Sequence, residues 1–518
     1  MPELTIDKQK VSIDAGSTIL QAAAKLGIEI PVMCHMDGCE MSGGCMVCVV
    51  KELGKNRLVP ACSAQAQDGM EIDTCCGEVL DARRSALELL LSDHLGDCLG
   101  PCQTACPAGM DIPLMLRQIH TGEMRKAIAT VKAHIPLPGV LGWICPAPCE
   151  KICRMSSFNS PVEICRLKRY AAEADIESRD MYLPQRAASR NKSVAIVGAG
   201  PAGLTAAYYL LALGYDCIVY DKHSTPGGNL VYSDCVSQFP RELLEKEVSV
   251  IERLGMRFKG DTEIGKTVSI DDLKSGNDAV LVAAGDMAAG NAGVFGLETS
   301  KTGIKTDEFM RTGVDGVFAA GGAVRKRRMA VSSVADGHKA ALQIDSYLSS
   351  GKPADISKPF NSRMPKLSEA DKAAYIETGM VGMSSVEPGK DSLNAEQAVL
   401  ESGRCLHCDC REKDSCVLKS LSEIYGAEPR KYKSPQRPFA QVKVGSDVVY
   451  EPGKCIKCGR CVETARIEHE KLGLAMTGRG FETIPAASLG SSFNEALKGS
   501  AKKCAKACPT GALSIIDD

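Results

Sequence analysis

No apolar run in this sequence approaches the roughly 20 residues needed to cross a bilayer as a helix, so no membrane span is expected. Charge of neither sign dominates. The 62 Lys and Arg against 64 Asp and Glu leave a formal net charge of -2, which gives no electrostatic case for nucleic acid or an anionic membrane surface. Met1-Pro-Glu-Leu-Thr carries no basic segment followed by an apolar stretch. A secretory signal is therefore not expected, and a cytoplasmic setting is. No grouping of acid, base and nucleophile stands out, so no catalytic residue is assigned. Among the eight histidines, His35 and His407 abut cysteines, whereas His120, His134, His223, His338 and His469 are isolated.

Cysteine, by contrast, is abundant: 25 in 518 residues. A chain this long should divide into three to five domains rather than share one core. In a large chain without a secretion signal, tightly grouped cysteines point to metal or redox chemistry rather than disulfides. Nineteen of them fall into such groups. Cys34-x10-Cys45-x2-Cys48-x13-Cys62 comes first, with the Cys-x2-Cys pair on the Gly43-Gly44 loop, where backbone amides can approach the sulfurs. His94-x3-Cys98-x3-Cys102-x3-Cys106 follows an apolar helical stretch. Cys145-x3-Cys149-x3-Cys153 follows Trp143, and Cys165 stands a little further on. Cys405, Cys408, Cys410 and Cys416 are close enough to fit one compact site. That site suits a 4Fe–4S cluster, although four thiolates would also suit zinc. Cys455-x2-Cys458-x2-Cys461 has Ala465 where a simple ferredoxin run would place its fourth cysteine, so Cys508, before Pro509, is the natural fourth ligand. Cys39, Cys75, Cys76 and Cys504 lie close to these groups but outside their patterns.

Between these groups lies one glycine fingerprint, Gly198-Ala-Gly200-Pro201-Ala202-Gly203. Ser193–Val197 reads as the strand before it and Asp216–Asp221 as the strand after the following helix. The glycines permit the tight turn, the approach of a pyrophosphate and close helix packing. Asp221 falls where a ribose-binding carboxylate belongs. Leu4-Thr-Ile-Asp and Lys10-Val-Ser-Ile-Asp read as two strands, and Ser17–Leu26 as a helix capped by Ser17 or Thr18. Residues 353–392, rich in Pro, Ser and Lys, read as a linker. Arg325-Lys-Arg-Arg328 reads as a solvated basic loop, with a phosphate or partner contact as the sharper alternative.

Four resemblances follow from these motifs. TILQAAAKLGIEIPVMCH and GGCMVCVV resemble the 2Fe–2S domain of the large iron–sulfur subunit of complex I and related hydrogenases. GKCIKCGRCVE, GRGFET and CPTGAL resemble that subunit's ferredoxin-like part. PCQTACPAGMDIP, PLPGVLGWICPAPCEKIC and VEICRLKRY resemble the N-terminal domain of the glutamate synthase small subunit. TPGGNL, DAVLVAAG and GVFAAGGAV resemble that protein's FAD-binding half.

The resemblances imply a multidomain α+β and α/β chain. Its parts are a β-grasp 2Fe–2S domain (1–79), a helical 4Fe–4S domain (80–190) and a Rossmann-like FAD domain (191–352). A linker with the Cys405–Cys416 motif (353–440) and a ferredoxin-like 4Fe–4S domain (441–518) complete it. They imply FAD, one 2Fe–2S cluster and about four 4Fe–4S clusters. Residue-by-residue transfer puts one cluster on His94, Cys98, Cys102 and Cys153. A second falls on Cys106, Cys145 and Cys149, with Cys165 in place of a family ligand that would lie near Lys168–Arg169. The cofactor positions are Gly198, Gly200, Pro201, Ala202, Gly203, Asp221, Lys222, Gly227, Gly228, Ala284, Gly285, Gly321 and Gly322. The last stands where the family has aspartate.

Glutamate synthase-like proteins insert a second Rossmann unit, for NADPH, before the closing FAD strand. Here Ala283-Ala284-Gly285 is followed within about 30 residues by Asp315-Gly-Val-Phe, too little for another such domain. The expectation is an electron-transferring oxidoreductase subunit. It would relay electrons between an NADH-binding FMN/iron–sulfur subunit like that of complex I and a second redox subunit. Formate dehydrogenase, hydrogenase or another low-potential reductase would suit, with ferredoxin as a further partner. A bifurcating flavin and an ordinary one would carry the same motifs. The alternatives are a stand-alone NAD(P)H-dependent flavoprotein and a zinc-bearing scaffold.

Overall fold

The structure is a computed structural model that describes residues 1–39, 44–287, 292–326, 329–356, 358–377, 384–387, 389, 391–432, 437 and 439–516. Gly43, Arg327 and Arg328 of the motifs above lie outside the described residues. The chain forms two units. The first is assembled from Met1–Gly100, Lys358–Val381 and His407–Asp518, and the second from Pro101–Ser357 and Gly382–Leu406.

The first unit opens with a five-stranded sheet in the order Gln9–Ser12, Glu3–Ile6, Glu71–Asp73, Val49–Glu52, Arg57–Pro60. Glu3–Ile6 and Glu71–Asp73 run parallel, and the other neighbours are antiparallel. Alternate residues such as Leu4 and Ile6 face the core, as a half-buried strand requires. The helix Ile19–Lys25 packs there through Ile19, Ala22 and Ala23. It starts at Thr18, whose hydroxyl accepts from the Gln21 amide while the Gln21 side chain accepts from the Thr18 amide, a reciprocal cap. The long helix Gly77–Leu91 then leads to His94.

Residues 358–377 are not the linker that their composition suggests. The Asn361 side chain accepts from the Leu99 amide at 3.0 Å, the Ser362 hydroxyl donates to Gly96 at 2.7 Å, and Asp97 accepts from the Met364 amide at 3.1 Å. A helix, Glu369–Glu377, follows. Polar side chains that read as solvated instead satisfy the backbone of 96–99. The unit's last part is a three-stranded antiparallel sheet, Val442–Val444, Val448–Tyr450 and Leu513–Ile515, with helices Arg460–Ile467 and Ala501–Ala507.

The second unit begins with helices Ile112–His120, Met124–Lys132, Pro138–Ile144 and Ile164–Glu177. Pro138–Ile144 meets Ile164–Glu177 closely: a Cβ on Gly142 would lie 2.6 Å from the Arg169 Cβ. A parallel sheet follows in the order Val317–Ala319, Ala279–Val282, Ser193–Val197, Asp216–Tyr220, Arg257–Lys259. Its central strands are apolar throughout because helices cover both faces.

Glu247 is buried against the Pro138–Ile144 helix and accepts from the amides of Gly139 at 2.6 Å and Val140 at 3.1 Å. Burial nevertheless raises its pKa to about 7. Between its ordinary value of 4.5 and about 7, the folded chain holds a proton that the unfolded chain has released. Stability therefore falls as pH rises through that window, by on the order of 3 kcal/mol in total. Glu247→Gln should flatten this dependence. Thermal unfolding of both proteins at pH 5 and pH 7.5 checks it, and parallel shifts would sink the assignment.

Candidate redox centres

The fingerprint loop is set by glycine sterics. A Cβ on Gly203 would lie 1.9 Å from the Gly198 carbonyl oxygen, and Gly198 has φ +105° with the Ala283 carbonyl against it. These positions admit only glycine, and the helix Pro201–Ala212 consequently starts directly under the turn. Gly228 packs on Gly200, and the Gly227 amide donates to Ala199 O at 2.8 Å, so the Gly227-Gly228 turn borders the same loop. Asp221 accepts from the amides of Ala199 at 2.7 Å and His223 at 2.9 Å. Its carboxylate thus holds the loop as well as standing at the end of the second strand. Each oxygen keeps a lone pair for a ribose hydroxyl. Gly321 and Gly322 lie beside Ala202 and Gly285. A side chain at 322 would strike the Gly285 backbone at 2.8 Å, which explains why aspartate is not found there. Lys222 follows Asp221, and Ala284 precedes Gly285 at the end of the 279–282 strand.

In the first sheet domain, Cys34, Cys45, Cys48 and Cys62 are all buried. Cys34 interacts with Cys45 and Cys62, and Cys48 with Cys62. The interaction with Cys45, then that with Cys62, holds Cys34 below the usual thiol range. The four thiols thus gather in an apolar setting.

Cys455, Cys458, Cys461 and Cys508 line one cavity with Tyr450, Ile456 and Leu513. Burial pushes Cys455 up to about 11 and Cys458 to about 12, and raises Cys461 well above the ordinary thiol range. Buried thiolates repel one another and lose hydration, so these three need cations to ionise. The leftover Cys504 is buried, and its thiol donates to the Cys461 carbonyl at 3.5 Å.

His94 and Cys98 do not join Cys102 and Cys153. They line a cavity with Cys410 and Cys416, all within the first unit, whereas Cys102 and Cys153 belong to the second. The compact Cys405–Cys416 motif is accordingly not one site. The Cys410 amide donates to the Cys98 carbonyl at 3.3 Å, and Cys416 caps the helix Val417–Ile424, its sulfur accepting from the Lys419 amide at 3.4 Å. This segment zips onto 94–98 instead of folding on itself. A Cβ on Gly511 would lie 2.3 Å from the Cys410 sulfur, so the cavity wall needs glycine there. The His94 Nδ1 is buried without a hydrogen-bond partner. Desolvation, then the Lys454 charge, lowers His94 to about 4, which leaves the imidazole neutral, the form that ligates metal. Burial raises Cys98 to about 11 and Cys416 to about 12.

In the second unit, Cys106, Cys145, Cys149 and Cys165 surround a third cavity, lined also by Lys168. Cys145 is raised by its hydrogen bond with Cys165 and by burial. Three further thiols of the cysteine groups belong to this unit: Cys102, on the helix Pro101–Ala105, Cys153 and Cys405. The buried Arg404 donates to Glu401 at 2.5 Å and to the carbonyls of Ser160 and Pro161, and its charge acts on the Cys153 thiol. Sequence reasoning met Lys168 only as the place of a family ligand and missed Lys454, because a lysine carries no spacing signal.

Comparison with known proteins matches the domains singly. Residues 2–75 match the family described as 2Fe-2S iron-sulfur cluster binding domain, and residues 96–180 match dihydropyrimidine dehydrogenase domain II, 4Fe-4S cluster. Residues 196–239 match the NAD(P)-binding Rossmann-like domain, and 448–515 the 4Fe-4S single cluster domain. The NADPH-Fe(3+) oxidoreductase subunit beta of Geobacter sulfurreducens is 36% identical over 42% of this chain and 32% of its own length. The NADP(+)-dependent formate dehydrogenase subunit beta of Moorella thermoacetica is 33% identical over 38% of this chain and 31% of its own. The glutamate synthase [NADPH] small chain of Escherichia coli is 29% identical over 44% of this chain and 46% of its own. The chain thus spans between a third and a half of the curated relatives it matches. No described helix is long and apolar enough to cross a membrane. Domain by domain, the chain is a mixed α/β iron–sulfur protein carrying a 2Fe–2S domain, two 4Fe–4S domains and a Rossmann-like nucleotide domain.

Proposed function

We propose that this chain is the electron-transfer flavoprotein subunit of a cytoplasmic multi-subunit oxidoreductase. It relays electrons between an NADH-linked flavin subunit and a second, low-potential redox subunit. One observation carries the reading. The strand Ala279–Val282 pairs directly with Val317–Ala319, and the described residues between Gly285 and Val317 hold only a short 3-10 turn and a two-residue-per-strand hairpin. The one fingerprint is assigned to FAD, and the described residues hold no second Rossmann unit to bring it a nicotinamide. Names of the similar proteins, which are subunits of NADPH-linked and formate-oxidising enzymes, support the same reading.

Cys34, Cys45, Cys48 and Cys62 are assigned to a 2Fe–2S cluster. Three 4Fe–4S clusters are assigned to His94/Cys98/Cys410/Cys416, Cys106/Cys145/Cys149/Cys165 and Cys455/Cys458/Cys461/Cys508. Cys102, Cys153 and Cys405 are left for a fourth, and Cys408 follows three residues on in the sequence. Flavin exchanges electrons in pairs or singly and each cluster singly, while the protein supplies spacing, burial and charge.

Purified anaerobically, the isolated chain should show no bleaching of its flavin and cluster absorbance with NADH or NADPH. Dithionite should reduce it fully, and the NADH response should return when co-purifying subunits are added. Bleaching by either nucleotide alone would make it a stand-alone oxidoreductase. Zinc in place of iron would make it a scaffold.

A further inference from the structure

Four lysines are buried among the described residues: Lys132, Lys168, Lys413 and Lys454. Three of them are ion-paired. Lys132 meets Asp175 at 2.7 Å, Lys413 meets Asp409 at 3.2 Å, and Lys454 meets Glu451 at 2.6 Å. Lys168, only 3% exposed, pairs with no carboxylate among the described residues, and Glu150 and the buried Glu247 act on it only at longer range. Its ammonium donates to the Leu141 carbonyl at 3.2 Å and stands 4.0 Å from the Cys165 sulfur. It lies on the helix Ile164–Glu177 one turn after Cys165, on the same face, and lines the cavity of Cys106, Cys145, Cys149 and Cys165.

A buried charge without a counter-charge costs several kcal/mol, so chains rarely keep one. Something anionic must stand opposite Lys168. Four thiolates around irons carry a net negative charge, and this cavity presents four thiols and no acid. We propose that Lys168 is the built-in counter-charge of the cluster held by Cys106, Cys145, Cys149 and Cys165, and that it sets that cluster's reduction potential above what the four thiolates alone would give. The proposal rests on the cluster assignment made above. Reduction adds one electron to this site and breaks no bond. The fixed positive charge favours the more negative, reduced form.

Full-length wild type, Lys168→Met and Lys168→Arg are to be purified anaerobically, assayed for iron, and titrated with dithionite while the reduced-cluster EPR signals are followed. Cys145→Ser identifies the relevant signal by removing it. Lys168→Met should keep its iron and lower that cluster's reduction equilibrium constant at least tenfold, about 59 mV for a one-electron couple. Lys168→Arg should stay close to wild type. Loss of this cluster in Lys168→Met but not in Lys168→Arg would equally show that the charge is required. An unchanged potential in fully loaded Lys168→Met overturns the proposal, as does loss of iron from both variants. If Cys145→Ser removes neither iron nor signal, the cluster assignment itself fails.

Discussion

Cys98→Ser and Cys416→Ser should each abolish one and the same 4Fe–4S signal, and the double variant should lose no more iron than either single one. The expected loss is about four irons per chain, because a cubane without one thiolate is seldom retained. The two residues line one cavity together with Cys410 and His94, whose Nδ1 is buried without a hydrogen-bond partner. His94→Ala should remove or strongly alter the same signal and leave the others untouched. Iron analysis and EPR of the reduced chain decide it. Additive losses in the double variant would mean that Cys98 and Cys416 serve different clusters, as their positions in the sequence suggest.

The second large effect concerns the nucleotide loop. Gly203→Ala puts a methyl group 1.9 Å from the Gly198 carbonyl oxygen, an atom fixed by the strand before it. Alanine is the better helix former by about 1 kcal/mol, but a backbone collision of this depth outweighs that gain. The helix Pro201–Ala212 must lift away from the turn, and a destabilisation on the order of 3 kcal/mol or more is expected for the nucleotide domain. The variant should be purified without flavin while keeping the 2Fe–2S signal of residues 2–75. Gly276→Ala, whose Cβ would meet only the Asp272 carbonyl at 3.8 Å, should keep both. Stoichiometric flavin in Gly203→Ala would show that the loop is not the binding site.

How far the sequence could be read depended on the range of each constraint. The strand, turn and helix around Gly198–Gly203 are local, because each glycine is required by an atom a few residues away or on the next strand. They were legible in full. Cys455, Cys458 and Cys461 sit within seven residues, and Cys508 before Pro509 was the one plausible addition; these four share a cavity. The short strands and the Thr18 cap were equally local. The grouping of His94 and Cys98 with Cys410 and Cys416 was not legible. Spacing offered nearer partners on both sides, and only the backbone pairing of Cys410 with Cys98 and the side chains of Asn361 and Ser362 bring the distant segments together. Residues 358–377 misled for the same reason. Their polar composition describes a linker, while their hydrogen bonds are spent on a segment more than 250 residues earlier.

The first unit's assembly from three separate stretches bears on how the chain is made. At translation rates of ~5–20 residues per second, His94 and Cys98 leave the ribosome some 15 to 60 s before Cys410 and Cys416 exist. During that interval the sheet of residues 3–73 can fold with all four of its grouped cysteines already made. Under the cluster assignment proposed above, His94 and Cys98 must instead wait while the whole nucleotide unit is synthesised. On that assignment iron delivery to the cavity is a late event of biosynthesis, and a chain truncated anywhere before Cys410 would be born without it.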